Sequence, residues 1–207
     1  MSAAITYHVA IIQRKGGFVM IVNGYDYPFI NSNVLSEWLP SLTYLSSFSY
    51  GFTPVGDIID LNDGPLLSAA AASGTKTLMV LTPFDINGKF NSSLVTSLFA
   101  EDAVTDRLID NILITVREKG FSGVDFDFEY IFSQDRDRYT ALVRKTREIL
   151  NGEGLIVTAT LAPKTSADQA GLLYEGHDYR GMGQAANYVL LMTYEWGYTL
   201  APQCYMQ

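Results

Sequence analysis

From Gly123 to Glu129 the chain reads Gly-Val-Asp-Phe-Asp-Phe-Glu, with a carboxylate at every second position and Val124, Phe126 and Phe128 framing them. Period-two alternation with β-branched and aromatic residues specifies a strand whose i, i+2 and i+4 side chains share one face. Asp125, Asp127 and Glu129 occupy that face, spaced roughly 6–7 Å apart along the chain. Like charges turned inward are costly unless protonated or hydrogen-bonded, and chains keep them chiefly where chemistry needs them. An edge strand with its acids in water fits the alternation but not the position between two helical segments. The run is expected to be an active-site strand.

The neighbouring segments alternate in the same way. Strand patterns fall at Phe18–Asn23, Tyr44–Phe52, Thr77–Thr82, the carboxylate run, Leu155–Leu161 and Tyr188–Tyr194. Helical patterns fall at Asn33–Leu39, Gly64–Ala72, Asp102–Lys119, Asp135–Leu150 and Tyr179–Ala186, the longest stopped by Gly120. Strands joined by helical crossovers imply a parallel sheet with helices outside, either doubly wound or a (β/α)8 barrel. The first strand lacks the glycine-rich turn of a doubly wound dinucleotide site. The glycine spacing Gly181–Ala186 follows no strand and is treated as chance. Tyr50, Thr82, Glu129, Lys164 and Tyr194 gather at strand C-terminal ends, where barrel enzymes place their chemistry.

A net charge of −8 argues against nucleic acid as partner. The lone Cys204 permits no intrachain disulfide. His8 and His177 are isolated, so no metal is expected, and nothing implies a cofactor. No apolar run reaches membrane-spanning length, and residues 1–17 lack the pattern of a cleaved leader, which leaves localisation open. Asn91-Ser92-Ser93 matches a glycosylation acceptor, with no leader to support its use.

The run GVDFDFE resembles the strand-four signature Asp-x-Asp-x-Glu of glycoside hydrolase family 18. Met192-Thr193-Tyr194-Glu195 is similar to the family's Met-x-Tyr-Asp on the sixth strand. Phe48–Phe52, Ala162–Ser166 and Leu190–Gly197 resemble the spore-associated branch that acts on cortex peptidoglycan and usually carries LysM repeats. The resemblance implies a (β/α)8 glycosidase on β-linked N-acetylhexosamine, in peptidoglycan or chitin, by a substrate-assisted retaining route. It assigns Glu129 as acid and base, Asp127 as holder of the acetamide N–H, Asp125 as its proton-sharing neighbour and Tyr194 as donor to the acetamide oxygen. Repulsion and burial are expected to raise Glu129 toward an acid competent near neutrality. Three positions depart from the pattern: Ser122 stands for an outer Asp, Glu195 for Asp, and Leu81-Thr82-Pro83 for a small-residue strand end. The branch suggests spore cortex or cell wall as the place of action.

Tyr25, Tyr50 and Trp196 are candidates to stack on sugar faces, Glu195 to reach the substrate, and Lys164 to meet a carboxyl or hydroxyl of a muramic-type sugar. Residues 1–17 read as an extension or linker remnant and 18–207 as a partial catalytic domain. About six of eight β/α units are present, where a full barrel takes roughly 250 residues. The chain alone is expected to need a closing partner or segment, or to aggregate or hydrolyse poorly. A catalytically silent sugar-binding module, or a nonfunctional remnant, is the competing reading.

Overall fold

The computed structural model describes residues 6–14, 17–84 and 87–193. It opens with an antiparallel hairpin in which β1 (Thr6–Arg14) pairs with β2 (Gly17–Asp26) along its whole length. The segment expected as an extension therefore supplies a strand to the sheet. There follow α1 (Ser32–Trp38), β3 (Tyr44–Phe52), a short β4 (Ile58–Ile59), α2 (Gly64–Ser73), β5 (Lys76–Leu81), α3 (Ser92–Leu98) and α4 (Asp102–Lys119). Then come β6 (Gly123–Phe126), α5 (Arg136–Asn151), β7 (Ile156–Leu161), α6 (Tyr179–Ala185) and β8 (Tyr188–Leu191).

The strand order is β1-β2-β3-β5-β6-β7-β8, with β4 paired to β3, and every pairing from β2 to β8 on this path is parallel. The result is a curled, incomplete (β/α)8 barrel of six parallel strands, the architecture the alternation of elements predicts. Register fixes which side chains share a face. Met79 lies level with Val124 and Val124 with Val157, and all three are buried with Leu108, Ile112, Val116, Leu142 and Val143 from α4 and α5. The opposite, concave face carries Val80, Asp125 and Thr158 at one level. A smaller core of Leu35, Leu39, Leu42, Leu45, Leu66 and Ala70 lies under α1 and α2.

Helix α3 was not legible as a helix. Asn91, read as a glycosylation acceptor, caps it: the side chain accepts the Leu94 N–H. No helix among the described residues is long and apolar enough to cross a membrane.

Candidate active site

The site begins with packing on the far side of β6. Phe126 and Phe128 are fully buried; Phe128 stacks on Tyr139 of α5 at 5.1 Å and on Phe52 at 5.4 Å. Burying each such ring gives on the order of 2–3 kcal/mol, which locks the strand's rotation and turns the acids to the concave face. Gly123 starts the strand because nothing larger fits: a Cβ there would stand 2.0 Å from the Ile156 carbonyl oxygen. The ladder ends at Phe126, yet the Asp127 N–H still reaches the Leu81 carbonyl at 3.0 Å, so the extended course continues. Just past Glu129, Tyr130 adopts φ 56°, a left-handed conformation costly for a residue with a side chain. The strand therefore stops sharply at Glu129, which stands half-buried at the rim.

Asp125 is completely buried and accepts hydroxyl hydrogen bonds from three directions. Tyr25 of β2 approaches its Oδ2 at 2.6 Å, Thr160 the same oxygen at 3.2 Å, and Thr158 its Oδ1. Burial raises its pKa, while the three hydroxyls pull the other way by stabilising the charged form. Asp127 has no such cradle. It is 5% exposed, its Oδ1 has no hydrogen-bond partner, and its pKa is raised well above the usual carboxylate range. Desolvation is the main cause, followed by the charges of Asp125 and Glu129. Of the two inner acids, Asp127 is thus the one whose charged form lacks a donor at Oδ1 and is opposed by burial and by two neighbouring carboxylates.

The other predicted residues divide. Tyr25 lies inside β2, not after it, and its hydroxyl is occupied by Asp125 and Thr160; it braces an acid rather than offering a platform. Tyr50 is a correction. Plain alternation sets it on the face of Ser46 and Phe48, but an irregularity between Ser47 and Tyr50 shifts the register. Tyr50 is thereby level with Leu81 on the helix-facing side, fully buried, and cannot touch a ligand in the concave face. Its hydroxyl donates to Asp63 and accepts from Lys119. Lys164 follows β7 at the rim, with its Nζ on the His177 carbonyl at 2.6 Å. Tyr194, Glu195 and Trp196 lie outside the described residues. Ser122 precedes β6 and uses its backbone to bond Thr77 and Ile156, and Thr82 is buried against Ser49 and the Tyr50 carbonyl.

Two features went unread in the sequence. Thr158 and Thr160 alternate in Leu155–Leu161, the one signal that could have marked them as partners for the acids. An aromatic row also runs along the rim, Tyr27 to Phe48 to Phe84 to Phe90 to Tyr130, with centroids 4.5–6.1 Å apart. Phe48 is part of it. Among the described residues no group of three or more His, Cys, Asp or Glu is arranged to hold a metal ion.

Residues 48–202 match the model of the glycosyl hydrolases family 18. The sequence is 39% identical over 166 residues to the cortical fragment-lytic enzyme of Bacillus subtilis, covering 80% of this chain and 38% of that protein. It is 33% identical over 164 residues to the cortical fragment-lytic enzyme of Bacillus anthracis, again covering 38% of it. The chain thus spans about two fifths of the length of these curated relatives. The crystal structure of the spore cortex-lytic enzyme SleL of Bacillus megaterium superposes with a TM-score of 0.81 at 31% identity, over 91% of this chain and 47% of that one.

Proposed function

The chain belongs to glycosyl hydrolase family 18, and we propose that it hydrolyses the β-linkage of N-acetylhexosamine polymers, with cortex or cell-wall peptidoglycan as substrate and site of action. The observation that carries this reading is the contrast along one strand: a fully cradled Asp125, a buried Asp127 with an unpartnered Oδ1, and Glu129 at the rim. A retaining enzyme with two working carboxylates needs one as acid and one as nucleophile, but here burial and two neighbouring carboxylates raise the pKa of the middle group, which suits it poorly to nucleophilic attack. The substrate's own 2-acetamido oxygen fills that role. In the proposed mechanism Glu129 protonates the leaving oxygen and then activates water. Asp127 Oδ1 accepts the acetamide N–H. As positive charge develops on the ring formed by the acetamide, the proton on the Asp125–Asp127 pair shifts toward Asp125, leaving a carboxylate beside that charge. Tyr25, Thr158 and Thr160 position Asp125 for the exchange. Tyr194, by the family resemblance, orients the acetamide oxygen. The rim aromatics suit the apolar faces of pyranose rings. Residues 18–207 are proposed to act as the catalytic portion.

The test is release of reducing ends from cortex peptidoglycan and from chitin oligomers. Glu129→Gln should lower turnover by roughly 10³-fold while leaving the melting temperature in place. Removing the acetyl group from the substrate should abolish cleavage by the wild-type chain. Equal rates for the wild-type and Glu129→Gln chains would sink the reading, and cleavage of the free-amine substrate would sink the substrate-assisted step.

A further inference from the structure

A second recess opens at the same rim, between the loop after β6 and the loop after β7. It has a volume of about 320 Å3, and its walls include Arg136, Lys164, Ser166, His177, Asp178 and Arg180. Two contacts join these walls to the acid strand. The His177 ring meets the Phe128 carbonyl through Nε2 at 2.9 Å, one residue before Glu129. Gly176 lies so close to Ile131 that a Cβ would come within 2.4 Å of it, which keeps the two loops flush.

The recess holds unmet hydrogen-bonding capacity of both signs. His177 is 1% exposed, and burial lowers its imidazole pKa to about 4, so the ring is neutral at physiological pH. A neutral ring facing a carbonyl through Nε2 carries its proton there, which leaves Nδ1 as a bare lone pair. That Nδ1 is buried without a partner, and so is Nε of Arg136. One wall thus offers an acceptor and another a cationic donor. Lys164 adds a second cation, its Nζ 5.7 Å above the Tyr179 ring. Partial burial, and then the charge of Arg136, lower its pKa. Asp178 balances part of this at 3.4 Å from Arg136, and Asp168 and Glu175 add weaker attraction to Lys164.

We propose that this recess binds an amide-linked carboxylate, a short acidic peptide substituent on the glycan, with its N–H donated to His177 Nδ1 and its carboxylate accepting from Arg136 and Lys164. The inference rests on the glycosidase reading and deepens it, because a bare N-acetylhexosamine chain offers no such carboxylate. The volume lies at the small end of ligand sites, room for one or two amino-acid residues. An inorganic sulfate would pair with the cations but has no donor for the histidine lone pair.

The probe is the dipeptide N-acetyl-alanyl-glutamate, titrated calorimetrically into the full chain, with sulfate as the comparison. The wild type should bind the dipeptide saturably and more tightly than sulfate, and the His177 Nδ1 resonance should move on titration. Lys164→Met and Arg136→Gln, each checked by thermal melting, should each weaken dipeptide binding roughly tenfold. The ratio of kcat/KM on peptide-bearing over bare glycan should fall by a similar factor. Absence of dipeptide binding to the folded wild type overturns the proposal whether or not glycan is cleaved, as does binding that neither variant weakens or that sulfate matches. Dipeptide binding of the expected kind without glycan cleavage supports the recess and removes the glycosidase reading instead.

Discussion

Asp63 and Asp127 are both buried, at 1% and 5% exposure, but they lie on opposite faces of one sheet and are served differently. Asp63, on the helix side, accepts from Ser47 and Tyr50 at 2.7 Å each and from the Lys119 ammonium at 3.2 Å. Lys119 goes on to Asp60 and the Leu61 carbonyl, so this acid ties β3, the β4 segment and the end of α4 together. Asp127, on the concave side, has an unpartnered Oδ1 and two other carboxylates for company. A buried acid with every oxygen met is cement; one left short is held ready for something outside the chain. The fold invests stability on one face and withholds it on the other.

Asparagine substitution separates the two. Asp63→Asn removes the charge facing Lys119 and leaves one of its three donors without an acceptor. Its cost should be roughly 2–4 kcal/mol in a denaturant melt, with kcat on glycan little changed. Asp127→Asn should do the reverse, lowering turnover about 100-fold at unchanged or higher stability. The sign follows from its pKa, which is raised in the folded chain. As pH climbs past the ordinary carboxylate range the unfolded chain sheds this proton and the folded chain does not, so wild type loses stability that the asparagine form keeps. Destabilisation by both substitutions, or by neither, would erase the distinction.

Why one face was legible and the other was not comes down to the range of the interactions. The acid ladder is local: five residues with period two state the strand and the face its acids share. The alternation of strands and helices likewise gave the incomplete (β/α)8 barrel. Asp63 went unread because its partners depend on a register shift within β3 that moves Tyr50 to the other face, and composition does not announce such a shift. The Asp125 cradle depends on strands 100 and 33–35 residues away meeting at one level. That level is set by sheet register, not by any nearby residue. Helix α3, at seven residues, is too short to display a period.

Tyr25→Phe probes that cradle with a smaller effect. It deletes the donor 2.6 Å from Asp125 Oδ2 but leaves Thr158 and Thr160 in place. A carboxylate that loses one of three donors is harder to ionise, so Asp125 already holds the shared proton in the resting site and less is gained by moving it there as charge forms. Turnover should drop about tenfold, with KM nearly constant, because the interaction gains value only as charge forms. A rise in KM at constant kcat would mean that Tyr25 touches the substrate instead.

Asp26 is the sharpest check on whether face or partnering decides the outcome, and its effect is the smallest. It ends β2 level with Ser47, on the helix-facing side with Asp63, yet its Oδ2 is buried without a partner, as Oδ1 of Asp127 is. Burial pushes its pKa up to about 7, against a small opposing pull from the Tyr27 backbone. A raised acid is fully tolerated below the unfolded value near 4 and becomes a liability as pH rises from there to about 7. Asp26→Asn should therefore match wild type in stability near pH 4 and exceed it by on the order of 1 kcal/mol at pH 8, a figure discounted for partial solvent access. Turnover should be unchanged, since the side chain points away from the acid ladder. If partnering decides, melting curves of the two chains diverge with rising pH. If the helix-facing side is protective in itself, they stay together across the range, and Asp63 then owes its value to its location more than to Ser47, Tyr50 and Lys119.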